Sequence, residues 1–556
     1  MNTLDVELLF QDGISPVEGG APPPEFSSTV DAGIRIERNQ PIVLADGATI
    51  YADVYRPEGA LEVPALIAWG PYGKHNGGSV YQQFGNEAGE KGAGVDPDWI
   101  SPYTTFEGPD PAQWCTFGYA VLNVDPRATW WSGGDFATIW DEREARDIGE
   151  VIAWAGTQDW SSGKVGMTGV SYLAVSQWWA ASLRPSHLAA INPVEGVTDV
   201  YREFAFHGGI PSHFPAWWQS HRLQYSTAKI EAMGDMMLDH PLVDAYWESK
   251  LPDLGKIEVP AYVIASWSDQ GLHTRGTLAG FEALGSKHRF LEVHGRKKWE
   301  YYHQPQTVAR TRQFFDRFLR GIDNGVDEWP QVRTEVRTRY YQGVERRPSQ
   351  WPLIDTKLRT LHLDASSLRL TVDPPATESH ASYDAADDRD TLTFRYVFGE
   401  TTDVVGGMRL HLRAHAEDAE DMDVFVAIKK LDADGQPVHF AFANVLERGP
   451  VALGWLRASH RELDEQRSTP NRPWHTHVNE ALLTPGEPVE LDIEIWPSGT
   501  GFEAGEGFEL ALRGSDFYTG AVMSRHARLR NRGRHVVHTG PQNVSYLVIP
   551  VVPLDG

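Results

Sequence analysis

The chain is poor in cysteine, in long uncharged apolar runs and in basic charge, and each shortage removes a class of function. A single cysteine, Cys115, among 556 residues forbids an intramolecular disulfide and a zinc site built on several thiolates. No stretch approaches the roughly 18 uncharged apolar residues of a membrane helix, so no spanning segment is expected. Lys+Arg 50 against Asp+Glu 76 leaves a net charge of −26 and a pI near 5.2. That balance argues against nucleic acid or an anionic membrane as partner. It also disfavours anionic substrates, leaving neutral small molecules, and it leaves self-association into a homo-oligomer open. The first residues carry Asp5, Glu7 and Asp12 with no basic stretch, and Leu8-Leu9-Phe10 is too short for the core of a signal peptide. The expectation is a soluble, cytoplasmic protein of several domains. With 41% hydrophobic and 23% charged residues, the composition is that of globular proteins.

What is present divides the chain. Residues 1–35 are rich in Gly, Pro and acid and read as an arm, irregular or lying over another surface. From residue 36 short apolar runs alternate with helical periodicity. Ala65–Trp69, Tyr119–Val124, Lys164–Thr168, Ala189–Val194, Ala261–Ala265 and Arg289–Val293 read as strands. Trp140–Ala155, Tyr172–Leu183 and Gln306–Leu319 read as helices. This order predicts a mainly parallel α/β sheet over residues 36–195 and 258–350. Residues 196–257, with helical patches at Ser226–Leu238 and Pro241–Lys250, form an inserted cap. Beyond Trp351-Pro352 many short strands with turn signals predict an all-β sandwich or jelly roll over residues 351–556.

The chemistry-bearing feature is Gly169-Val-Ser171-Tyr172-Leu-Ala174. It follows a strand and opens a helix, the context of a nucleophile elbow, although Leu173 stands where the pattern G-x-S-x-G has its second glycine. Such a turn presents the Ser171 hydroxyl clear of the sheet and sets the Tyr172 amide at a helix N-terminus, where it can stabilise an oxyanion. A serine needs a base, and in this fold the order is Ser, acid, His. Asp269 lies just past the strand ending at Ala265, though an N-cap for a helix starting at Gly271 would equally account for it. His294 ends the next strand. His303, His273 and His288 are its rivals among 21 histidines.

These residues resemble the serine hydrolases that include X-Pro dipeptidyl-peptidases, cocaine esterase and the α-amino-acid ester hydrolases, over residues 36–550. The likeness is carried by Gly70-Pro-Tyr72-Gly-Lys74, Val124-Asp-Pro-Arg127 with Ser132-Gly-Gly134, Trp160-Ser-Ser-Gly-Lys-Val-Gly-Met-Thr-Gly-Val-Ser-Tyr172 and Phe314-Phe-Asp-Arg-Phe-Leu-Arg-Gly321. Ala128 and Ala174 replace glycines of the family pattern, and the G-P-W-x-H segment that holds the base in many members is absent. The resemblance implies an α/β-hydrolase core with a helical cap and a C-terminal jelly roll. It implies Ser171 as nucleophile, Asp269 as acid and a following histidine as base. His294 is taken for that role, with His303 as the main rival. Tyr72 would join the Tyr172 amide in the oxyanion hole. No cofactor is implied. The expected activity is hydrolysis of a carboxylic ester through an acyl-enzyme, with amide or peptide cleavage as the alternative. A binding protein using its β-sandwich is the alternative of another class.

Other signals read more plainly. Trp217, Trp218 and Trp267 are candidate walls of a substrate pocket, whereas Trp178-Trp179 fit the core. His475 and His477 look like a metal pair but lack a third ligand and read as solvent-facing strand residues. Arg296-Lys-Lys298 reads as solvated surface, and Cys115 as a packed thiol.

Overall fold

The structure is a computed structural model that describes residues 6–76, 81 and 92–553. Its N-terminal part is built on one twisted sheet. The strands are β1 (Ile34–Val43), β2 (Thr49–Pro57), β3 (Val63–Trp69), β4 (Ala120–Asp125), β5 (Ser161–Val170), β6 (Leu188–Val194), β7 (Ala261–Ser266), β8 (Arg289–His294) and β9 (Val332–Arg339). Pairing sets their order as β1-β2-β4-β3-β5-β6-β7-β8-β9, antiparallel up to β4 and parallel from there to β9. β3, β4 and β7 are buried along their whole length, because helices cover both faces of a parallel sheet and leave no solvent side to alternate with.

The helices that matter to the site are α1 (Glu142–Gly156), α2 (Tyr172–Ser182), α3 (Phe214–Arg222), α4 (Thr274–Ala283), α5 (Lys298–His303) and α6 (Pro305–Arg320). In α1 Asp141 caps the N-terminus by accepting from the Glu144 amide, and Ile148, Val151, Ile152 and Ala155 form the buried stripe that their three- and four-residue spacing predicts. α2 is buried on every side, Trp178 and Trp179 included. α6 ends at Gly321 with φ +70°, the left-handed cap that glycine adopts without steric cost.

Beyond residue 350 the strands form two antiparallel sheets. Lys357–Asp364, Thr402–Ala416, Val489–Phe502 and Tyr546–Val552 join one sheet. Leu392–Val397, Asp423–Leu431, Ala452–Arg457 and Gly507–Arg513 join the other. Alternate residues such as Leu361, Leu410, Leu412, Val426, Ile428, Ile493 and Leu510 fill one core between them. The change of texture at 350 does not interrupt the structure. Val332–Arg339 ends the parallel run, Gln342–Arg346 adds to it as an antiparallel edge, and Arg337 pairs directly with Thr500. Its buried guanidinium donates to the Ser498 hydroxyl at 2.8 Å and the Val451 carbonyl at 3.0 Å.

Several local expectations change. The arm is not irregular: Ser27–Asp31 pairs with β1, and Phe10–Asp12 pairs with Lys229–Glu231 of the inserted segment. Gly13 and Gly19 press so close to Ser226 and Trp130 that a Cβ would lie 2.5 and 2.7 Å from them. The inserted segment is less helical than expected. Ser226–Leu238 holds a short strand before a helix at Met233–Asp239, and Pro241–Lys250 holds only the turn Ala245–Glu248. Tertiary pairing with the arm overrides helical propensity there. No helix among the described residues is long and apolar enough to cross a membrane.

Candidate active site

Ser171 stands between β5 and α2 with φ +59° and ψ −114°. A non-glycine residue rarely adopts this region, and the surroundings hold it there. The Ser171 amide donates to the Val194 carbonyl at 3.0 Å and the Glu195 carbonyl at 3.1 Å. Gly169, two residues before, has φ +149°, and a Cβ on it would meet Leu173 at 2.6 Å. Gly196 packs on Ala174, where an added Cβ would lie 3.1 Å from the alanine's own, so the elbow leaves room for a small residue at 174. Tyr172 begins α2, and its amide is among the first-turn donors that have no acceptor within the helix.

Ser171 Oγ lies 3.1 Å from His273 Nε2. His273 Nδ1 in turn meets Asp269 Oδ2 in a short hydrogen bond. Acid and base come from one turn after β7: the Asp269 carbonyl accepts from the amides of Leu272, His273 and Thr274, and Gly271 turns the chain at φ +85°. His273 itself is the N-cap of α4, so Asp269 does not cap that helix with its side chain. A third group joins them. Lys298 Nζ, from the first residue of α5, lies 3.2 Å from Asp269 Oδ2 and 3.2 Å from His273 Nδ1. Asp269, His273 and Lys298 are all buried. Burial pushes the Asp269 carboxyl up, but the Lys298 ammonium and His273 outweigh it and hold it well below the usual range. Burial, then the charge of Lys298, lowers the His273 imidazole to about 4, against the pull of Asp269.

His294 is corrected by this geometry. It ends β8 as expected, but its ring stacks on Tyr301 with centroids 3.7 Å apart. Its Nδ1 accepts from the Arg296 amide at 3.1 Å, and its Nε2 lies 3.3 Å from Glu195 Oε1. The aromatic stack and Glu195 thus hold the imidazole in the core beside β8, and the nitrogen facing Ser171 belongs to His273. His303 bonds the Tyr81 hydroxyl at 3.0 Å instead, and the His288 ring lies against Phe318.

Two buried carboxyl groups adjoin the site. Glu195, at φ +50° after β6, accepts from the Ser266 hydroxyl at 2.8 Å. Burial and the nearby Asp269 carboxylate raise its pKa well above the ordinary value. Glu107, at φ +64°, accepts from the Trp299 indole at 2.9 Å. Burial raises it to about 7, while Lys298, Trp299 and Tyr72 pull the other way. Glu195, Asp269 and His273 offer ligand atoms within 4.8 Å of one another. The Lys298 ammonium already supplies the cation this cluster calls for, so its chemistry fits an ion-paired triad rather than a metal centre.

Ser171 opens onto a cavity of roughly 310 Å³ whose walls include Tyr72, Trp140, Phe204, Trp217 and Trp218, with Val522 and Met523 from the C-terminal part. Trp218 stacks on Trp140 and on Tyr172, with ring centroids 5.7 and 6.0 Å apart. Trp217 and Trp218 are therefore brought to the pocket. Trp267 is not: it is fully buried, its indole donates to the Glu335 carbonyl at 2.8 Å, and it packs on Gly499, whose added Cβ would meet it at 2.7 Å. Tyr72 lines the cavity, with its hydroxyl facing Glu107 and Trp218. Burial and Glu107 keep the phenol protonated far above its usual range.

Lys298, Glu107 and Glu195 went unrecognised in the sequence. The basic run is not solvated surface, since Lys297 and Lys298 are both buried. Lys297 donates to the Gly92 carbonyl at 2.9 Å. His475 and His477 likewise face the interior, with His477 Nδ1 3.1 Å from His460 Nδ1. Cys115 is buried, as expected of a packed thiol, and burial pushes its pKa up to about 12.

Comparison with known proteins shows the family. Residues 46–298 match the model for X-Pro dipeptidyl-peptidase (S15 family), and residues 324–548 match that for the X-Pro dipeptidyl-peptidase C-terminal non-catalytic domain. A CocE/NonD family hydrolase from Staphylococcus aureus is 36% identical, covers 99% of both chains and superposes with a TM-score of 0.89. An α-amino acid ester hydrolase shares the fold at 17% identity, covering 96% of this chain and 98% of its own, with a TM-score of 0.70. Cocaine esterase from Rhodococcus sp. (strain MB1 Bresler) is 32% identical over 177 residues, 31% of this chain but only 26% of its own length. The chain belongs to the X-Pro dipeptidyl-peptidase and cocaine esterase-like family, among its CocE/NonD hydrolases.

Proposed function

We propose that this protein is a serine hydrolase of carboxylic esters, working through an acyl-enzyme on an α/β-hydrolase core whose inserted cap and C-terminal jelly roll complete the pocket. The observation that carries the reading is the hydrogen-bonded line from Ser171 Oγ through His273 to Asp269. His273 Nε2 removes the Ser171 proton as Oγ attacks the carbonyl carbon, and Asp269 holds the tautomer that leaves Nε2 free to accept. The tetrahedral oxyanion receives hydrogen bonds from the Tyr172 amide and the Tyr72 hydroxyl. His273 then returns the proton to the leaving alkoxide, and water enters by the same route to free the acid. An alcohol leaves more readily than an amine, which puts esters first. The aromatic walls favour an uncharged, apolar acyl or alcohol group. Peptide cleavage is the second reading, favoured by the match to the S15 model.

A fluorophosphonate probe tests the reading. Wild-type protein is expected to label and Ser171→Ala to stay unlabelled. An unlabelled wild type would leave a binding protein built on the hydrolase scaffold.

A further inference from the structure

Lys298 sits where its charge bears on both partners of the nucleophile. Its ammonium is 3.2 Å from Asp269 Oδ2 and from His273 Nδ1, and α5 is anchored so that it cannot drift. Trp299, the next residue, donates to Glu107, Tyr302 bonds the Thr168 hydroxyl at 3.2 Å, and His303 bonds Tyr81. The other ionisable groups facing the pair come from three elements: Glu195 after β6, His294 at the end of β8, and Glu107 from the loop before β4. Burial disfavours the charged forms of Glu195 and His294, and it raises the Glu107 carboxyl to about 7. Among the described residues, Lys298 is the lysine or arginine that forms an ion pair with Asp269.

We propose that Lys298 is a positioning residue of this hydrolase: its ammonium fixes the Asp269 carboxylate against His273 and sets the acid limit of activity. Asp269 Oδ2 accepts from His273 and from Lys298 together, so the carboxylate cannot turn away from the imidazole without breaking an ion pair that burial makes costly to break. The same charge repels the imidazolium that forms when His273 takes the Ser171 proton. The base is thereby somewhat weakened, and it stays unprotonated into acidic solution, where an ordinary histidine would already be charged and inactive.

The inference rests on the serine-hydrolase reading, and the test separates the two. Turnover of p-nitrophenyl acetate is followed from pH 3.5 to 9 for wild type, Lys298→Met and Lys298→Arg, alongside fluorophosphonate labelling and thermal melting. The wild-type acid limb is expected near pH 4. Removing the charge in Lys298→Met is expected to raise that limb by about one pH unit or more, the scale on which an adjacent like charge shifts a titration, and to lower kcat more than it raises KM. Lys298→Arg is expected to keep the limb where wild type has it. An unmoved limb in Lys298→Met overturns the inference while labelling of wild type leaves the reading intact. A wild type that neither labels nor turns over overturns both. Should Lys298→Met fail to fold, Lys298→Arg decides: a limb displaced by a unit or more, with the charge retained, overturns the inference.

Discussion

Ser171 and His273 meet in one hydrogen bond, but the elbow and the loop that carry them are held by different forces. The elbow is a matter of backbone. A serine at positive φ, glycines at 169 and 196 pressed against Leu173 and Ala174, and an amide bonded to two carbonyls at the end of β6 fix Ser171 with no charged group taking part. The base loop is a matter of side chains. Asp269 and His273 sit four residues apart on one turn, and a lysine from another element, Lys298, contacts both. Backbone strain of this kind persists because the close contacts and hydrogen bonds around the turn over-determine it. A buried charge network depends on every member, because removing one leaves an unpaired charge in a low dielectric.

That contrast can be broken most forcefully at the base. His273→Ala is expected to lower kcat/KM on the order of 10⁴-fold, the scale of losing a triad member, whereas His294→Ala is expected to cost less than about tenfold in kcat/KM and to show its effect in a lowered melting temperature, since it leaves a hole beside Tyr301. Equal losses in the two variants would reverse the assignment. Tyr72→Phe comes next. Deleting one oxyanion donor costs about 10²-fold in kcat or more, and steady-state kinetics with KM nearly unchanged would mark the loss as one of transition-state binding.

The smallest effect concerns Glu107. Its carboxyl is neutral below about pH 7 and ionised above. The ionised form would draw the Tyr72 hydroxyl toward itself and place a negative charge near the oxyanion, so activity is expected to fall as pH rises through about 7. Glu107→Gln stays neutral throughout and is expected to abolish that decline by a few-fold gain at pH 8.5, as read in a pH–rate profile. A persisting decline would assign the basic limb elsewhere.

Much of this molecule was legible before any coordinates. Outside the arm and the inserted segment 196–257, strands and helices up to residue 320 stand within a few residues of where periodicity sets them, and Ser171 lies where a strand, a turn and a helix follow in succession. Asp269 follows from its position past the end of β7. What failed was the choice among histidines. His294 ends a strand as a catalytic residue of this fold should, yet stacking on Tyr301 and contact with Glu195 hold it in the core. The four-residue spacing of Asp269 and His273 points to the histidine that meets Ser171, but such a spacing is too common among polar residues to decide the matter. Trp267 and Lys298 failed for a related reason: burial of a tryptophan or a lysine against residues far along the chain leaves no periodic trace.

The sequence by itself determined the alternation that builds a parallel sheet, the all-β texture beyond residue 350 and the strand–turn–helix that presents Ser171, because each depends on spacing and backbone preference over a few neighbouring residues. Only the tertiary structure decided which imidazole faces Ser171, that an ammonium shares the acid with it, and which tryptophans wall the cavity. Those are electrostatic and packing choices among groups as far apart in the chain as Tyr72 and Met523, made where low dielectric magnifies every charge, and no local pattern encodes them.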